Sequence, residues 1–281
     1  LLLCLFPSLL PLFVLTDRLC FFFSLSLCTP LPVGWSSLTY KHSRTEEWNV
    51  LFVDGDSKKK HKNYLRNVCR QDKRFKYVHQ KNNTKGIYDA MSYGMKIVDP
   101  THWIIFMGSD DYFSNILSIS KLIKVLEEKN SKYDTFDVLF CKCVYIKNNK
   151  RIRVSSFSVN SSSRIYTNIQ IRKKLFWGSC PPHQGTVLGP NVRKINQKFS
   201  TGYKLAADLD YLFELSKRSN IKFKSSSIEL CNLGSDGVSN KETFQRLFEV
   251  IKVYFKSFSF LFIIPFCSRY IKRILSKFTK A

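Results

Sequence analysis

The sequence predicts an α/β protein in which a mostly parallel sheet is flanked by helices. Apolar stretches of strand length alternate with segments of helical period, which is the order that builds a parallel sheet. Two apolar stretches run into aspartates, at Asp54 and Asp56 and again at Asp110 and Asp111. Because ligands bind beyond the carboxyl ends of parallel strands, these aspartates indicate a candidate site.

The composition is that of a globular protein with a large surplus of positive charge. The 281 residues are 44% hydrophobic and 23% charged, and the formal net charge is +24. Such a charge favours anionic partners, which include nucleic acid, a membrane surface and phosphate-bearing substrates. The nine cysteines have neither zinc-site nor disulfide-framework spacing, so we expect reduced, mostly buried thiols in a cytosolic compartment.

The first residues are apolar but interrupted. Pro7 and Pro11 break the run, and Asp17 and Arg18 interrupt it short of the roughly 20 apolar residues that a membrane-spanning helix needs. We interpret residues 1–22 as an upstream-extended apolar leader outside the folded domain, with a membrane anchor as the alternative.

The first half of the domain is predicted to alternate strands and helices. Strands are predicted at 23–30, 48–57, 75–80 and 102–113, and helices at 34–47, 58–74 and 86–98. The stretch 48–57 is almost continuously apolar up to its aspartates, which is typical of a strand that is buried on both faces.

The second half adds a helix at 117–129, a strand or strand pair at 134–146 and a helix at 203–218. The Ser-, Asn- and Lys-rich connection 147–164 is predicted to be a mobile loop. The folded domain is predicted to span 23–242. The tail, 243–281, mixes Phe, Leu and Ile with Lys and Arg, which predicts an amphipathic segment on an anionic membrane.

The aspartates at the strand ends have a functional and a structural explanation. Asp110 and Asp111 could hold Mg²⁺ or Mn²⁺, hard ions that take carboxylate oxygens and share substrate phosphates. The alternative is an acidic turn that caps a helix. Asp54 could accept hydrogen bonds from a base or ribose, or could only close its Asp-Gly turn.

Four further residues could carry chemistry. Asp208 and Asp210 lie early in the predicted helix 203–218, where they would either pair with the helix dipole or supply a general base for a sugar hydroxyl. His183 follows two prolines, a setting in which a histidine is more often structural than catalytic. Lys85 could face a phosphate, although most lysines of this chain are expected to be solvated.

Six segments occur together in one known family of enzymes. They are VDGDS (53–57), KGIYDAMSYGM (85–95), WIIFMGSDD (103–111), PPHQGT (181–186), YKLAADLDYLFEL (203–215) and DGVSN (236–240). In this order and spacing the chain resembles family-two glycosyltransferases over residues 23–240. The resemblance is closest to the bacterial subgroup that builds colanic-acid-like and other surface polysaccharides.

The resemblance implies a GT-A fold and inverting sugar transfer from a nucleotide-diphosphate sugar. It implies Asp208 as the catalytic base and Mg²⁺ or Mn²⁺ on Asp110 and Asp111. The implied donor-binding residues are Asp54, Lys85, Tyr88, Asp89, Ser109 and Asp110, and the acceptor-side residues are His183 and Gln184. The implied acceptor is a saccharide or lipid-linked saccharide, so we expect a cytoplasmic protein on the periphery of the membrane.

The chain departs from the family's pattern at several positions. Gly108 stands where many relatives have the first Asp of Asp-X-Asp, and Asp236 replaces the first Gly of Gly-Gly-Val-Ser. Gly185 stands where Ala is usual, and CTPLPVGW (28–35) lacks the common Tyr-Asn.

Two alternative functions remain open. A catalytically inactive scaffold would have the same fold. A nucleic-acid-binding protein is disfavoured, because the aromatic residues lie in apolar strands and the tail rather than among Lys and Arg on one exposed platform.

Overall fold

The computed structural model describes residues 19–26, 47–55, 57–80, 86–108, 111–127, 135–155, 157, 164–234 and 243–278. Of residues 19–26, 47, 243 and 272–278, only the backbone is described. The helix predicted at 34–47 lies outside the described residues except for Glu47, which begins a strand.

A ten-stranded sheet forms the centre of the described chain, in the order β3-β2-β1-β4-β9-β6-β10-β5, with β7 beside β6 and β8 beside β10. The strands are β1 (Leu19–Ser26), β2 (Glu47–Asp54), β3 (Phe75–His79), β4 (Trp103–Gly108), β5 (Tyr112–Phe113), β6 (Val138–Lys147), β7 (Lys150–Ser155), β8 (Arg164–Tyr166), β9 (Thr186–Leu188) and β10 (Phe223–Gly234). The first strand begins four residues before its predicted start at Phe23.

The α/β class is confirmed, but the sheet is mixed rather than mostly parallel. β2, β3, β4, β6 and β10 all run in one direction, as predicted, while β1 and β9 are inserted among them in the opposite direction. Alternation of strands and helices predicts the direction of successive strands but not which strand is inserted between them. The carboxyl ends of β2 and β4 still share one edge, two strand spacings or about 10 Å apart.

The helices cover both faces of this sheet. They are α1 (Lys59–Gln71), α2 (Ile87–Ile97), α3 (Ser118–Glu127), α4 (Asn168–Phe176), α5 (Pro190–Ile195), α6 (Ala207–Ser216), α7 (Thr243–Phe258) and α8 (Ile263–Phe278). Short 3₁₀ turns lie at His183–Gly185 and Ser259–Phe262.

The central position of β4 in the sheet explains why its sequence is apolar without alternation. All six of its residues are buried. Ile104 and Phe106 face the core cluster that α2, α6 and α7 complete, and Ile105 and Met107 face the cluster that α1 and α3 complete. A strand that is covered on both faces needs apolar side chains on both.

The prediction of a mobile loop over 147–164 is wrong for part of that segment. Residues Lys150–Ser155 form β7, which pairs antiparallel with β6, and Arg164–Tyr166 form β8. Asn148 and Asn149 both have positive φ, 49° and 59°, which is the conformation of a tight two-residue hairpin turn. Asparagine tolerates this conformation better than most residues, so the pair Asn-Asn was the signal for the hairpin.

The predicted helical tail begins as part of the folded core. Val250, Val253 and Tyr254 of α7 are at most 3% exposed and belong to the core cluster of α6. On the other side of α7, Phe244 and Phe248 are 88% and 67% exposed. The helix is therefore amphipathic, with one face on the domain and one aromatic face outward.

Candidate active site

Asp54 ends β2 with a fully buried carboxylate. One carboxylate oxygen accepts the backbone N–H of Ser57 at 2.8 Å, and the other accepts the Tyr77 hydroxyl at 2.8 Å. These contacts close the loop after β2 and tie it to β3. Asp54 thus organises the strand end, which is the structural alternative for this residue, and its role in nucleotide binding stays a prediction.

Asp111 follows β4 at the same edge of the sheet and is 8% exposed. One of its carboxylate oxygens accepts the backbone N–H of Gly108 at 2.8 Å and the side-chain amide of Gln184 at 2.8 Å. A candidate metal ligand and a candidate acceptor-side residue, predicted from separate segments, are therefore in direct contact.

The turn that carries Gln184 packs closely against β6. A Cβ atom built on Gly185 would lie 2.5 Å from Cys143 Sγ and 2.8 Å from the Cys141 carbonyl oxygen. Only glycine allows this approach, which explains why Gly185 departs from the alanine that is usual in the family. Beneath the turn, Cys231 Sγ lies 3.2 Å from Cys143 Sγ and 3.6 Å from the carbonyl oxygen of Gln184.

The cysteines under the turn are reduced and buried, as predicted. The hydrogen bond with Cys231, together with burial, raises the pKa of Cys143 well above its ordinary value, and burial raises that of Cys141. Neutral thiols of this kind pack as small apolar groups and are poor nucleophiles.

Asp208 is the second residue of α6, and two other predicted residues converge on it. His183 Nδ1 lies 3.9 Å from a carboxylate oxygen of Asp208. Tyr88, from α2, lies close enough to Asp208 for the negative charge of that carboxylate to raise the pKa of the Tyr88 hydroxyl. The Asp208 side chain is 23% exposed, so its carboxylate is held by the protein and remains open to a substrate.

The Tyr88 hydroxyl keeps its proton in this setting. Burial raises the pKa of Tyr88 well above its ordinary 10.0, and the negative charge of Asp208 raises it further. Both effects favour the neutral, protonated hydroxyl beside the Asp208 carboxylate. Tyr88 is only 7% exposed, so we expect it to influence the site through Asp208 and not by direct contact with a substrate.

The carboxylate at the end of β4 fits a hard divalent ion that takes its other ligands from substrate phosphates and water. Asp111 presents a carboxylate at the strand end, and Mg²⁺ typically binds to one or two carboxylates together with substrate phosphates and water. Among the described residues, no group of three His, Cys, Asp or Glu side chains is placed to hold a metal alone. Asp110, the neighbouring candidate ligand, lies outside the described part of the chain.

Three predicted site residues, Lys85, Ser109 and Asp110, lie outside the described residues. Asp89 lies in the first turn of α2 with a half-buried side chain. Sequence reasoning missed Tyr77, which holds Asp54, and Cys143, which lies under the turn. The aromatic-rich strand around Tyr77 gave no hint of a polar contact with a residue 23 positions earlier.

Two solved structures share this fold. The crystal structure of S. aureus TarS residues 1–349 aligns with a TM-score of 0.55 and 16% identity, over 79% of this chain and 62% of that one. The same TarS fragment in complex with UDP aligns with a TM-score of 0.51 and 18% identity, over 74% of this chain and 56% of that one. The chain thus spans only about three fifths of the TarS chains, and at these identities the likeness shows the GT-A fold.

No sequence among the curated proteins matches this chain. The family model for glycosyl transferase family 2 matches residues 35–187, which is more than half of the chain and contains Asp54, Asp111 and the turn at His183–Gly185. By this match the protein belongs to glycosyl transferase family 2.

Proposed function

We propose that the chain is an inverting glycosyltransferase that moves a sugar from a nucleotide-diphosphate donor to a saccharide or lipid-linked saccharide in surface polysaccharide synthesis. The observation that carries the proposal is the turn at His183–Gly185. Its two neighbouring side chains reach the two candidate centres, Gln184 to Asp111 and His183 to Asp208. One turn thereby sets the spacing between a donor-side carboxylate and a candidate base.

In the proposed reaction, Asp208 accepts the proton of an acceptor hydroxyl. The hydroxyl oxygen bonds to the anomeric carbon as the bond from that carbon to the diphosphate breaks, and the electron pair leaves with the nucleoside diphosphate. One displacement inverts the anomeric carbon and needs no covalent nucleophile. Tyr88 lies near the carboxylate as a neutral hydroxyl, and His183 Nδ1 lies 3.9 Å from one of its oxygens.

The proposed metal site comprises Asp110 and Asp111. When bound, Mg²⁺ or Mn²⁺ would neutralise the charge that develops on the departing diphosphate. In the protein itself, the Gly108 N–H and the Gln184 amide hold the Asp111 carboxylate in place. Because Gly108 has no side chain, it offers none of the ligation that an aspartate gives at that position in relatives.

We further propose that the protein lies on an anionic membrane at its cytoplasmic face. The outward side of the C-terminal helices and the turn between them is apolar; its most exposed members are Phe244, Phe248, Phe260, Leu261 and Ile263, at 58–88%. Large exposed apolar side chains on consecutive elements favour an interaction site. The chain's net charge of +24 makes anionic lipid the complementary partner.

The membrane contact is proposed to lie in the plane of the interface. By length and composition alone, the run Phe244–Ile271 could cross a bilayer, because an 18-residue window within it has a mean hydropathy of 1.7. However, α7 packs Val253 and Tyr254 into the core of the domain, where both are fully buried. A helix that is committed on one face to a folded domain suits the interface better than the bilayer interior.

Calorimetric titration with UDP and GDP, with and without Mn²⁺, tests the donor site directly. UDP is the first choice because the TarS structure with this fold holds UDP. We expect Mn²⁺-dependent binding in the wild type and its loss in Asp111→Asn. Asp72→Asn, a similar change before β3 at the opposite edge of the sheet, should bind as the wild type does. Absence of binding to either nucleotide would favour an inactive scaffold or another donor base.

A further inference from the structure

The first C-terminal helix, α7, supplies the cap of the helix that carries Asp208. Ala206 precedes α6 and has no side chain that could accept a hydrogen bond, so the backbone N–H groups there need another acceptor. Glu249 of α7 accepts hydrogen bonds from the backbone N–H groups of Lys204 at 3.0 Å, Leu205 at 2.7 Å and Ala206 at 3.0 Å. A carboxylate at this end also complements the helix dipole.

A second contact joins the same two helices. Lys256 lies two turns after Glu249 on the same face of α7, and its ammonium group is 2.7 Å from the fully buried carboxylate of Asp210. Asp210 also accepts the Ser200 hydroxyl. Burial acts to lower the pKa of Lys256, but hydrogen bonds and charges from Asp210 and Glu214 outweigh it, so that pKa is raised and Lys256 stays charged.

These two contacts hold a residue on either side of Asp208, one through its backbone and one through its side chain. Glu249 holds Ala206, two residues before it, and Lys256 holds Asp210, two residues after it. Between them, the Asp208 carboxylate is turned toward Tyr88 and His183. Glu249 of α7 thus acts on the segment that leads to the proposed base through backbone hydrogen bonds.

We propose that Glu249 is a positioning residue for Asp208, a role that rests on the proposed function of Asp208 as the base. Glu249 is 5% exposed, so its carboxylate is placed to accept hydrogen bonds from the protein backbone and not to bind a ligand. Without it, three backbone N–H groups in the segment that leads into α6 would lose a charged acceptor, and the segment would shift to find others.

Such a shift moves the base but leaves the donor site in place. Asp111 is held independently, by Gly108 on β4 and by Gln184 on the turn. A displacement of about 1 Å between a catalytic group and its substrate can lower the rate about 100-fold. Loss of Glu249 is therefore expected to lower kcat and to leave donor affinity unchanged.

The decisive variant is Glu249→Gln, which keeps the shape and size of the side chain but leaves one good acceptor oxygen for three backbone donors and the Gln245 side-chain amide. The assay is release of nucleoside diphosphate from the UDP-sugar or GDP-sugar that the wild type uses fastest. We expect kcat to fall roughly 10- to 100-fold with the donor KM within about twofold. Glu214→Gln removes another carboxylate partner of Lys256, and its kcat should stay near that of the wild type.

Nucleotide-binding sites per chain and the activity of Asp208→Asn are measured alongside. If Asp208→Asn is inactive while Glu249→Gln turns over like the wild type, the positioning role is wrong and the proposed function stands. If binding sites and kcat fall in parallel in Glu249→Gln, Glu249 serves folding alone and the inference is again wrong. Full turnover in Asp208→Asn would overturn the proposed base itself, and the positioning role with it.

Discussion

The side-chain amide of Gln184 lies 2.8 Å from a carboxylate oxygen of Asp111, although 73 residues separate them in the chain. The contact ties the turn before β9 to the end of β4. Since His183 is the neighbour of Gln184 and faces Asp208, a displacement of the turn changes both proposed centres together.

Removal of the Gln184 amide is expected to weaken catalysis more than folding. A hydrogen bond to a charged group contributes about 1.5–3 kcal/mol, so Gln184→Ala should lower kcat/KM roughly 10- to 100-fold. Gln170→Ala is the control, because Gln170 caps α4 through its contact with Thr167 and should affect thermal stability only. Equal kcat/KM in Gln184→Ala and the wild type would show that the turn does not order the site.

Substitution of the proposed base should separate binding from turnover. Asp208→Asn keeps the side-chain shape but removes the proton acceptor, so we expect a loss of about 100- to 10,000-fold in kcat. Calorimetry should still detect the nucleotide with unchanged affinity, because Asp111 lies on a different element. Loss of nucleotide affinity in Asp208→Asn would instead place Asp208 in the donor site.

Much of this fold was predictable because hydrophobic patterns report burial directly. The apolar run 103–107 predicts a strand that is covered on both faces, and β4 is such a strand. The aspartates at the ends of β2 and β4 were predicted to share an edge, and the two that the structure describes, Asp54 and Asp111, do so because both strands run in the same direction. Local patterns are sufficient for these features, since each depends on one segment and its immediate surroundings.

The long-range contacts of the site could not be predicted from one sequence. In the sequence, Glu249 is one charged residue of an amphipathic helix. No neighbouring residue indicates that it caps the helix that follows Ala206. The hydrogen bond between Glu249 and the Ala206 N–H joins two segments that are 43 residues apart and meet only in the folded chain. The same holds for Gly185 and Cys143, whose sizes are complementary across the turn.

Gly185→Ala should strain the turn by forcing a methyl group into Cys143. Overpacking of this kind costs about 1–3 kcal/mol, so the free energy of unfolding should fall by that amount in urea titration. Cys143→Ala removes the nearer atom, and the double variant should regain part of the loss. The recovery stays partial, because the Cys141 carbonyl oxygen still lies 2.8 Å from the new Cβ atom. Additive losses in the double variant would contradict the proposed contact.

The outward face of the C-terminal helices is expected to bind anionic vesicles. Phe260 and Leu261 are 85% and 62% exposed, so Phe260→Ser with Leu261→Ser should lower binding to phosphatidylglycerol vesicles in co-sedimentation while leaving the core intact. Ile116→Ser with Leu117→Ser, an adjacent exposed pair near α3, is the matched control. Deletion of the whole tail is a poorer test, because it also removes core residues of α7. If the Phe260 and Leu261 variant bound the vesicles as well as the wild type does, the membrane proposal would be wrong.

The buried Tyr88 hydroxyl predicts a pH dependence of stability with a definite sign. The pKa of Tyr88 in the folded protein is raised above 10.0, chiefly by burial and further by Asp208. Below pH 10 the tyrosine is protonated in both states, and its contribution to stability is fully present. Above pH 10 the unfolded chain loses the proton first, so the free energy of unfolding falls as the pH rises.

Tyr88→Phe should remove this contribution and flatten the decline above pH 10 by up to about 1.4 kcal/mol per pH unit. Urea titrations at closely spaced pH values measure the slope, and the other buried tyrosines and thiols cancel in the difference between variant and wild type. Tyr112→Phe, at a position 37% exposed, should retain the slope of the wild type. An unchanged slope in Tyr88→Phe would mean that the hydroxyl ionises in the folded protein as readily as in the unfolded chain, and it would contradict the raised pKa of Tyr88.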